Sequence, residues 1–264
     1  MRFDRTEITQ LTFFNEYLGS LSAPIDNFLE DHILNSDIYR VSMEAEEVGS
    51  FAIYDKYLLT HFYIRNCARK HGQQCLREIL EKTAVKTAFV PTYDEFFLSH
   101  VFDYDAKITN QAYFFSEANP NEDLSREPQT LLFRPATISD ASQVRTLGGD
   151  FVTDPEEDSV AGRVHLGYLE QQLVSIGLVI RGKLCPATAS IGMFTNQLFR
   201  RRGFATETIR YLRKVCHRDQ VVPISGCWYY NHLSKRTLEA AGMVTSSRLL
   251  KIEVSEAKYG KNPS

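Results

Sequence analysis

The chain has 264 residues, of which 43% are hydrophobic and 24% charged, and its formal net charge is −3. These values are typical of a globular protein with one large domain or two of ordinary size, and they exclude a disordered chain. No apolar run approaches the roughly 18–20 residues that a membrane helix needs, the N-terminus is too polar for a signal peptide, and the near-neutral charge argues against nucleic acid as a partner.

The cysteines are scattered through the chain and form no CxxC pair. They are Cys67, Cys75, Cys185, Cys216 and Cys227. This distribution predicts reduced thiols in a cytoplasmic protein, with neither a disulfide framework nor a zinc site, and no metal is expected.

The first half of the chain is predicted to contain three strands followed by a helix, a strand, a helix and a strand. The strands are expected at 38–43, 49–53, 57–64, 86–90 and 111–115, and the helices at 71–82 and 93–102. A polar stretch with prolines at Pro120 and Pro128 then shows no periodicity, which is typical of an interdomain linker. The sequence therefore predicts domains at 1–118 and 130–264, joined by a linker at 119–129.

The second half repeats this order of elements, which suggests a degenerate internal repeat. Strands are expected at 131–136, 164–170, 173–180, 183–195, 221–228 and 243–254, and helices at 138–147, from Gly203 to about Arg218, and at 231–241. Alternating strands and helices in this order predict an α/β fold, here an α+β mixed sheet, in both halves.

The most informative segment is MFTNQLFRRRGFAT, residues 193–206, in which a strand enters an arginine–glycine turn that opens a helix. A helix N-terminus offers unpaired amides and the positive end of a dipole, and glycine lets an anion approach the backbone. Seven basic residues and one acid, Glu207, lie between Arg200 and Arg218. Because this positive charge is local in an acidic chain, the segment predicts a site for a small polyanion.

Three motifs in the second half resemble those of the GCN5-related N-acetyltransferase (GNAT) superfamily. Residues 200–205, RRRGFA, fit the Q/R-x-x-G-x-G/A turn of that family; Asn231 and Ser234 fit its Asn-x-x-Ala/Ser element, and Gly242-Met243 fits its Gly-Phe element. The resemblance covers about residues 130–254. It implies a tandem GNAT-like acyl-CoA N-acyltransferase fold, with acetyl-CoA as the co-substrate.

The resemblance also implies the position of each ligand contact. The backbone of the strand end would pair with the pantetheine arm through Met193, Phe194 and Thr195, and a backbone N–H near Thr195 would bind the thioester oxygen. The pyrophosphate would lie on the amides of Arg201, Arg202, Gly203, Phe204, Ala205 and Thr206. Arginine side chains at Arg200, Arg201 and Arg202 would reach the phosphates, and Asn231 would bind the pantetheine arm.

Simpler structural roles compete with several of these assignments. The arginines are also compatible with a solvated surface, and Asn231 with a plain helix N-cap. Ser234 is also compatible with an ordinary helix-start residue, and the aromatic run 228–230 with packing rather than a binding wall.

Two positions depart from the family pattern. Leu238 stands where many members carry a tyrosine that protonates the leaving thiolate, and Gly226 stands where the branch that acetylates protein N-termini carries a glutamate base. The candidate substitutes ranked highest are Ser234 and Tyr229, with Tyr230 and Glu170 (through water) as further alternatives. A dedicated group of this kind typically contributes about 10²–10⁴-fold, so its loss slows the reaction without abolishing it.

The first half imitates the turn only in part. Arg69 and Gly72 keep the spacing, but Gln74 replaces the small residue and no Asn-x-x-Ser follows. The sequence therefore predicts a diverged copy of the fold that has lost the cofactor and that packs on the active half, shapes the acceptor cleft or mediates a homodimer. His61 and His100 are expected to be structural.

The first hypothesis is an acetyl-CoA-dependent N-acetyltransferase that acts on a small-molecule or peptide amine by direct attack in a ternary complex, because no cysteine occupies a nucleophile position and Cys227 is expected in the sheet. The alternative is a non-catalytic acyl-CoA sensor or scaffold, and transfer of a longer acyl group stays open. The acidic run from Asp154 to Asp158 is either a solvated loop or an attractor for a cationic amine.

Overall fold

A computed structural model describes residues 1–124 and 129–257, and these form two compact units. Unit 1 comprises Met1–Tyr113 together with the chain from Ser247 onward, and unit 2 comprises Phe114–Ser246. The division thus differs from the predicted domains at 1–118 and 130–264, because most of the last strand, from Ser247 onward, belongs to the first unit. Residues 125–128 of the predicted linker lie outside the described residues.

Unit 1 contains the predicted elements in the predicted order, with three additional elements at its start. Its strands are β1 (Arg2–Thr6), β2 (Asp37–Met43), β3 (Glu46–Tyr54), β4 (Leu58–Ile64), β5 (Thr87–Pro91) and the first part of β6 (Tyr104–Glu117). Its helices are α1 (Phe14–Ser20), α2 (Asn27–Leu34), α3 (Gly72–Lys82) and α4 (Glu95–Val101). The sequence analysis missed β1, α1 and α2, which are short and lack a regular apolar period.

The sheet of unit 1 is built around strand β4, in which all seven residues are buried. Strands β1 to β4 pair antiparallel in chain order, and β5 joins β4 in parallel over two register pairs. The last strand, β12 (Met243–Ala257), then pairs antiparallel with β5, so that Leu249 lies opposite Pro91 and Glu253 opposite Thr87. Buried apolar side chains of β3, β4, α3 and α4, with Ile252 of β12, form one core.

Unit 2 also follows the predicted order. Its strands are the end of β6, β7 (Leu132–Pro135), β8 (Val164–Leu169), β9 (Gln172–Arg181), β10 (Thr188–Thr195), β11 (Val222–Trp228) and the start of β12. Its helices are α5 (Ala141–Gly148), α6 (Pro155–Val160), α7 (Phe204–Arg218) and α8 (His232–Ala240). The antiparallel run β7-β8-β9-β10 is extended by β11, which lies parallel to β10.

Two local differences from the predicted elements have clear causes. Strand β10 begins at Thr188 rather than at residue 183, because a turn closes before it, with the Thr188 amide and hydroxyl both donating to the Cys185 carbonyl at 2.9 Å. The acidic run forms the short helix α6, since Asp154 caps the Glu157 amide at 2.9 Å and Pro155 provides the first helical residue.

A buried ion network fixes the C-terminal half of α7 within unit 2. The guanidinium of Arg213, which is 0% exposed, donates to Glu117 at 2.8 Å and to the Ala241 carbonyl at 2.6 Å, and it lies 2.8 Å from Glu122. His217, one turn further along α7, contacts the same Glu117 carboxylate at 2.8 Å. A buried charge set of this kind is stable only while its partners are complete.

Unit 1 buries two aspartates that cap helices, and they predict an unusual pH dependence. Burial raises the pKa of Asp26 to about 7, and it raises that of Asp94 to about 7 as well, although both accept backbone hydrogen bonds that act in the opposite direction. A carboxyl whose pKa is higher in the folded state stabilises the protein at low pH, and that stability is lost as the pH rises from about 4 to about 7. Burial of His61 lowers its pKa to about 3. This residue therefore makes the free energy of unfolding rise with pH between about pH 3 and 6.5, opposite to the effect of the two aspartates.

We therefore expect Asp94→Asn to flatten the fall in the free energy of unfolding between pH 4 and pH 7 and to be more stable than the wild type at pH 8. Asparagine can still cap the Phe97 amide but has no charge to bury. One pKa unit corresponds to about 1.4 kcal/mol, so the free energy of unfolding should change by on the order of a few kcal/mol. Urea denaturation across this pH range measures it, with the exposed cap variant Asp154→Asn as control. Parallel curves for Asp94→Asn and the wild type would contradict the expectation.

Candidate active site

Strands β10 and β11 diverge within unit 2 and open a gap between them. They pair in parallel only from Thr188 to Ser190, opposite Val222 to Ile224. At the point of divergence the Ser225 hydroxyl donates to the Ile191 carbonyl at 2.8 Å, so a side chain replaces the next ladder bond. On its other edge β10 stays paired with β9 as far as Thr195. The end of β10 therefore has one paired edge and one edge that faces the gap.

The hydrogen-bond pattern shows which backbone groups face this gap. The Asn196 amide donates to the Val174 carbonyl at 2.9 Å, and in an antiparallel ladder every second residue bonds the same neighbour. Met193 and Thr195 therefore direct their N–H and C=O groups away from β9. The Thr195 carbonyl is accordingly found 3.2 Å from the Arg200 side chain, to which it is hydrogen-bonded. These are backbone groups that an extended ligand can pair with, as an added strand would.

The turn after β10, at the arginine–glycine motif, has an unusual backbone. A short 3-10 helix, Gln197–Phe199, is followed by Arg201 with φ of +62° and by Gly203 with φ of +84°. Left-handed backbone is expensive for arginine and favourable for glycine. A Cβ added at Gly203 would meet no atom within 4 Å, so the turn keeps open space beside the backbone there.

Helix α7 begins without a side-chain cap. The N-cap residue is Gly203, which has no side chain to accept from the first-turn amides, whereas α2, α4, α6 and α8 are each capped by an aspartate or asparagine. The first-turn amides of α7, those of Phe204, Ala205 and Thr206, have no intrahelical acceptor. With the dipole of a 15-residue helix behind them, they form a site suited to an anion.

The three arginines of the turn differ in what they contact. Arg200 binds the Thr195 carbonyl, and its guanidinium lies 5.7 Å from the centre of the Phe194 ring. Arg202 lies over two rings, 5.6 Å from Phe199 and 5.0 Å from Phe204. Arg201 and Arg202 are both exposed, so their charge is available beside the open amides.

Some residues at the end of β11 cap or pack against their neighbours, and others are exposed. The Asn231 side chain accepts from the Ser234 amide at 3.1 Å, so it acts as the N-cap of α8. The Tyr229 ring is half-buried against Tyr230, with ring centres 5.2 Å apart. Trp228 and Tyr230 are 58% and 57% exposed. Packing therefore accounts for Tyr229 better than for its two neighbours.

The two positions at which the chain lacks the expected proton-transfer groups differ in burial. Leu238 is 2% exposed and belongs to the packed face of α8, and Gly226 is exposed on β11. Glu170 lies in the turn between β8 and β9, and β10 separates that turn from the gap. Of the four substitutes considered, Glu170 is thus the one that the sheet order places away from the gap.

The residues at this site fit a CoA-type ligand. The uncapped start of α7 and the open backbone at Gly203 provide amides for a pyrophosphate, the arginines provide charge, and the free edge of β10 provides partners for an amide-rich arm. At the same strand end the buried hydroxyl of Thr195 finds no hydrogen-bond partner among the described residues.

Sequence analysis missed a turn that lies over the same part of β10. A Cβ added at Gly148 would lie 3.1 Å from Ile176 of β9, and one added at Gly192 of β10 would lie 3.6 Å from the Phe151 ring. The Phe151 and Phe194 rings are 6.0 Å apart between centres. Because Ile176 is the register partner of Phe194, the turn 148–151 is anchored at Phe194, which lies between the two residues whose backbone faces the gap. Adjacent glycines at Gly148 and Gly149 were the only pattern that indicated it.

The corresponding turn of unit 1 is filled. Gly72 has ordinary helical backbone, and a Cβ there would meet His100 at 2.4 Å and Phe96 at 2.9 Å. Arg69 packs its guanidinium over the Phe96 ring at 5.2 Å. The glycine therefore permits side-chain packing against α4 and leaves no open backbone beside it. His61 is buried and bonded to Ser50 at 2.8 Å, and His100 bonds the Phe96 carbonyl at 2.7 Å, as expected of structural histidines.

Metal sites and membrane-spanning helices are absent from the described residues. Over residues 1–124 and 129–257, no group of three or more His, Cys, Asp or Glu side chains is arranged to hold a metal ion. In the same part of the chain, no helix has the length and apolar character required to span a membrane.

Comparisons with known proteins agree with this fold. Residues 6–118 match the family model "Acetyltransferase (GNAT) domain". A search of curated proteins gave no match. Among solved structures, an acetyltransferase from the GNAT family of Colwellia psychrerythraea has a TM-score of 0.86 at 16% identity, with 97% of this chain and 100% of that chain covered.

Two further solved structures share the fold at lower similarity. A tandem GNAT protein from the clavulanic acid biosynthesis pathway has a TM-score of 0.60 at 13% identity, covering 95% of this chain and 97% of its own. A GCN5-related N-acetyltransferase-like protein from Streptococcus suis has a TM-score of 0.53 at 13% identity, covering 95% and 100%. These likenesses establish the fold over nearly the whole chain.

The family model matches the half in which the motifs were only imitated, while the motifs themselves lie in the other half. Residues 6–118 thus match a GNAT acetyltransferase domain, and the chain as a whole has a tandem GNAT fold.

Proposed function

We propose that this protein is an acetyl-CoA-dependent N-acetyltransferase whose unit 2 binds the co-substrate and transfers the acetyl group to an amine. The observation that supports this most strongly is the uncapped start of α7, with left-handed Gly203 beside open space, next to the free edge of β10. A GNAT fold supports acyl transfer in general, and unit 2 is where the geometry fits the acyl donor.

The proposed roles follow the positions of the groups. Met193 and Thr195 hold the pantetheine arm through their backbone, and a backbone N–H of one of them stabilises the negative charge that develops on the thioester oxygen. Phe194, which was expected to take part, turns its N–H and C=O to β9 instead. Amides of Arg201, Arg202, Gly203, Phe204, Ala205 and Thr206 hold the pyrophosphate, with Arg200 adding charge. Asn231 caps α8 through its carbonyl oxygen, and its amide nitrogen is assigned to the pantetheine arm.

The transfer is a direct attack. A neutral amine nitrogen forms a bond to the thioester carbon, the carbon–sulfur bond breaks, the amine gives up a proton and the thiolate takes one. Ser234 and Tyr229, which follow β11 in the chain, are the proposed proton donors to the thiolate. An amine with a pKa of about 7.7–8.0 is partly neutral at physiological pH, so the first step needs only a weak base.

The cysteine nearest the gap supports a mechanism without an acyl-enzyme. Burial raises the pKa of the Cys227 thiol to about 11, so it is protonated at neutral pH. The thiolate is the nucleophilic form of cysteine, and this environment suppresses it. Transfer through a ternary complex is consistent with that protonation state.

Release of free thiol from acetyl-CoA tests the proposal. We expect release that depends on an added amine and that is faster, at pH 7, with amines of low pKa than with lysine-like amines near 10.4, because more of the former is neutral. A thiol-reactive dye measures the rate with a panel of both kinds. A Ser234→Ala or Tyr229→Phe variant should lose about 10²-fold or more if that residue donates the proton.

A non-catalytic acyl-CoA sensor is the alternative, and the buried Leu238 and the exposed Gly226 are the observations in its favour. Both stand where related proteins place proton-transfer groups. Tight binding of acetyl-CoA without thiol release across the whole amine panel would favour the sensor over the enzyme.

A further inference from the structure

A carboxylate attaches the chain that leads into β7 to the first turns of α7. Glu207 Oε1 accepts from the Thr130 amide at 2.6 Å and from the Leu131 amide at 2.7 Å, so two consecutive amides share one oxygen. Hydrogen bonds to an ionised acceptor are roughly twice as strong as those between neutral groups. Glu207 therefore holds the segment 129–131, which joins the predicted linker to β7, against α7.

Leu131 extends this attachment into the interior of unit 2. It is fully buried in an apolar cluster with Val174 of β9 and with Phe204, the first residue of α7. Phe199, which ends the 3-10 helix before the arginine–glycine turn, packs against the same cluster. The cluster therefore contacts both ends of the turn 200–203.

The attachment also determines which amides the charge of Glu207 contacts. Glu207 is the one acid in the basic segment 200–218, and it lies four residues after Gly203, the N-cap of α7. An acidic side chain near a helix start is able to turn back and bond a free amide there, as in a capping box. The carboxylate of Glu207 instead bonds the segment 129–131, and no side chain caps the start of α7.

We propose that Glu207 is a positioning residue that couples the segment 129–131 to the anion site at the start of α7. While the segment is attached, the apolar cluster holds the turn 200–203 in place and the carboxylate has partners away from the first-turn amides. Release of the segment frees the carboxylate to compete with an incoming phosphate, and it withdraws Leu131 from the cluster. This inference rests on the proposed function and names a regulation of its co-substrate site by the linker.

Coupling of this kind acts in both directions. If attachment of the segment favours binding of acetyl-CoA by a given factor, then acetyl-CoA favours attachment of the segment by the same factor. The pyrophosphate would occupy the amides for which the released carboxylate competes, which leaves Thr130 and Leu131 as the partners of Glu207. Events at the linker therefore alter the affinity for the co-substrate.

Four variants separate attachment from charge. Thr130→Pro removes one of the two donor amides and leaves α7 and its charge intact. Glu207→Ala removes the acceptor, whereas Glu207→Gln keeps an acceptor oxygen without the charge. Asp219→Asn, at the C-terminal end of α7, is the control for loss of one negative charge from the same helix. Isothermal titration with acetyl-CoA, without an amine, gives the dissociation constants, and urea denaturation shows that each variant is folded.

We expect Thr130→Pro to raise the dissociation constant of acetyl-CoA by at least about tenfold and Glu207→Ala to raise it as well. Glu207→Gln should stay within about threefold of the wild type, and Asp219→Asn should equal it. The direction for Glu207→Ala is decisive, because removing a negative charge beside an anion site tightens binding if charge alone matters. Unchanged affinity in Thr130→Pro, or tighter binding by Glu207→Ala, would overturn the inference.

Hydrogen exchange at the Thr130 and Leu131 amides gives a readout that a purely structural contact would not change. Saturating acetyl-CoA should slow their exchange at least about tenfold in the wild type and have no such effect in Glu207→Ala. The Glu157 amide, which donates to the Asp154 carboxylate in the same unit, is the control and should not respond. Exchange that is equal with and without acetyl-CoA in a wild type that binds it would overturn the coupling alone. A wild type that does not bind acetyl-CoA would refute the proposed function and this inference with it.

Discussion

Gly203→Glu should raise the dissociation constant of acetyl-CoA by at least about 100-fold, which corresponds to about 2.7 kcal/mol. The substitution places a carboxylate among the first-turn amides of α7, where an incoming pyrophosphate would otherwise bind. The new side chain has room, since a Cβ at Gly203 meets no atom within 4 Å, so the fold should accept it at the cost of left-handed strain alone. Isothermal titration measures the affinity.

Gly162→Glu is a matched control for this variant. Gly162 also has positive φ, +69°, and open space, but it lies between α6 and β8, away from the turn. It should lose similar stability and keep wild-type affinity. The same titration gives the number of acetyl-CoA molecules bound per chain. If unit 2 holds the single site, the wild type should bind one. Half of the sites remaining in Gly203→Glu would show that unit 1 binds the ligand too.

Arg213→Ala should lower the free energy of unfolding by about 3–5 kcal/mol, the usual cost of removing one partner from a buried ion pair. The truncation leaves Glu117, which is also buried, with His217 as its remaining hydrogen-bond contact among those described above, and it empties the space that the guanidinium fills beside Ala241. Urea denaturation measures the change, and an unaltered slope shows that the native state is otherwise retained.

A second substitution separates the charge effect from the packing effect. Arg213→Met preserves most of the side-chain volume but removes the charge, and combining it with Glu117→Gln removes the stranded carboxylate as well. The double variant should recover about half or more of the lost stability. Replacing both partners of a buried ion pair by uncharged residues often leaves the stability of a protein unchanged. If the double variant is as unstable as the single one, packing rather than charge holds α7 in place.

Much of the fold was predictable because its elements have local causes. Alternating apolar residues predicted β2, β3 and β4 within a few residues, and the face of Ile209, Leu212 and Cys216 predicted α7. The motif predicted a turn at Gly203 that opens a helix, and α7 begins there. Each of these features depends on residues a few positions apart.

The unpredicted features depend on partners that are distant in sequence. A strand pattern does not say with which neighbour the strand pairs, so neither the divergence of β10 from β11 nor the pairing of β12 with β5 could be predicted. Gly72 and Gly203 share a motif spacing, yet one allows side-chain packing and the other leaves open backbone.

The pairing of β12 with β5 has a consequence for biosynthesis. Unit 1 begins at the first residue of the chain but lacks a strand of its sheet until residues 249–253, opposite 87–91, have been synthesised. Domains usually fold one after another as the chain emerges from the ribosome. Here the N-terminal unit must wait, with the edge of β5 unpaired, until the ribosome has translated unit 2 and the strand after it.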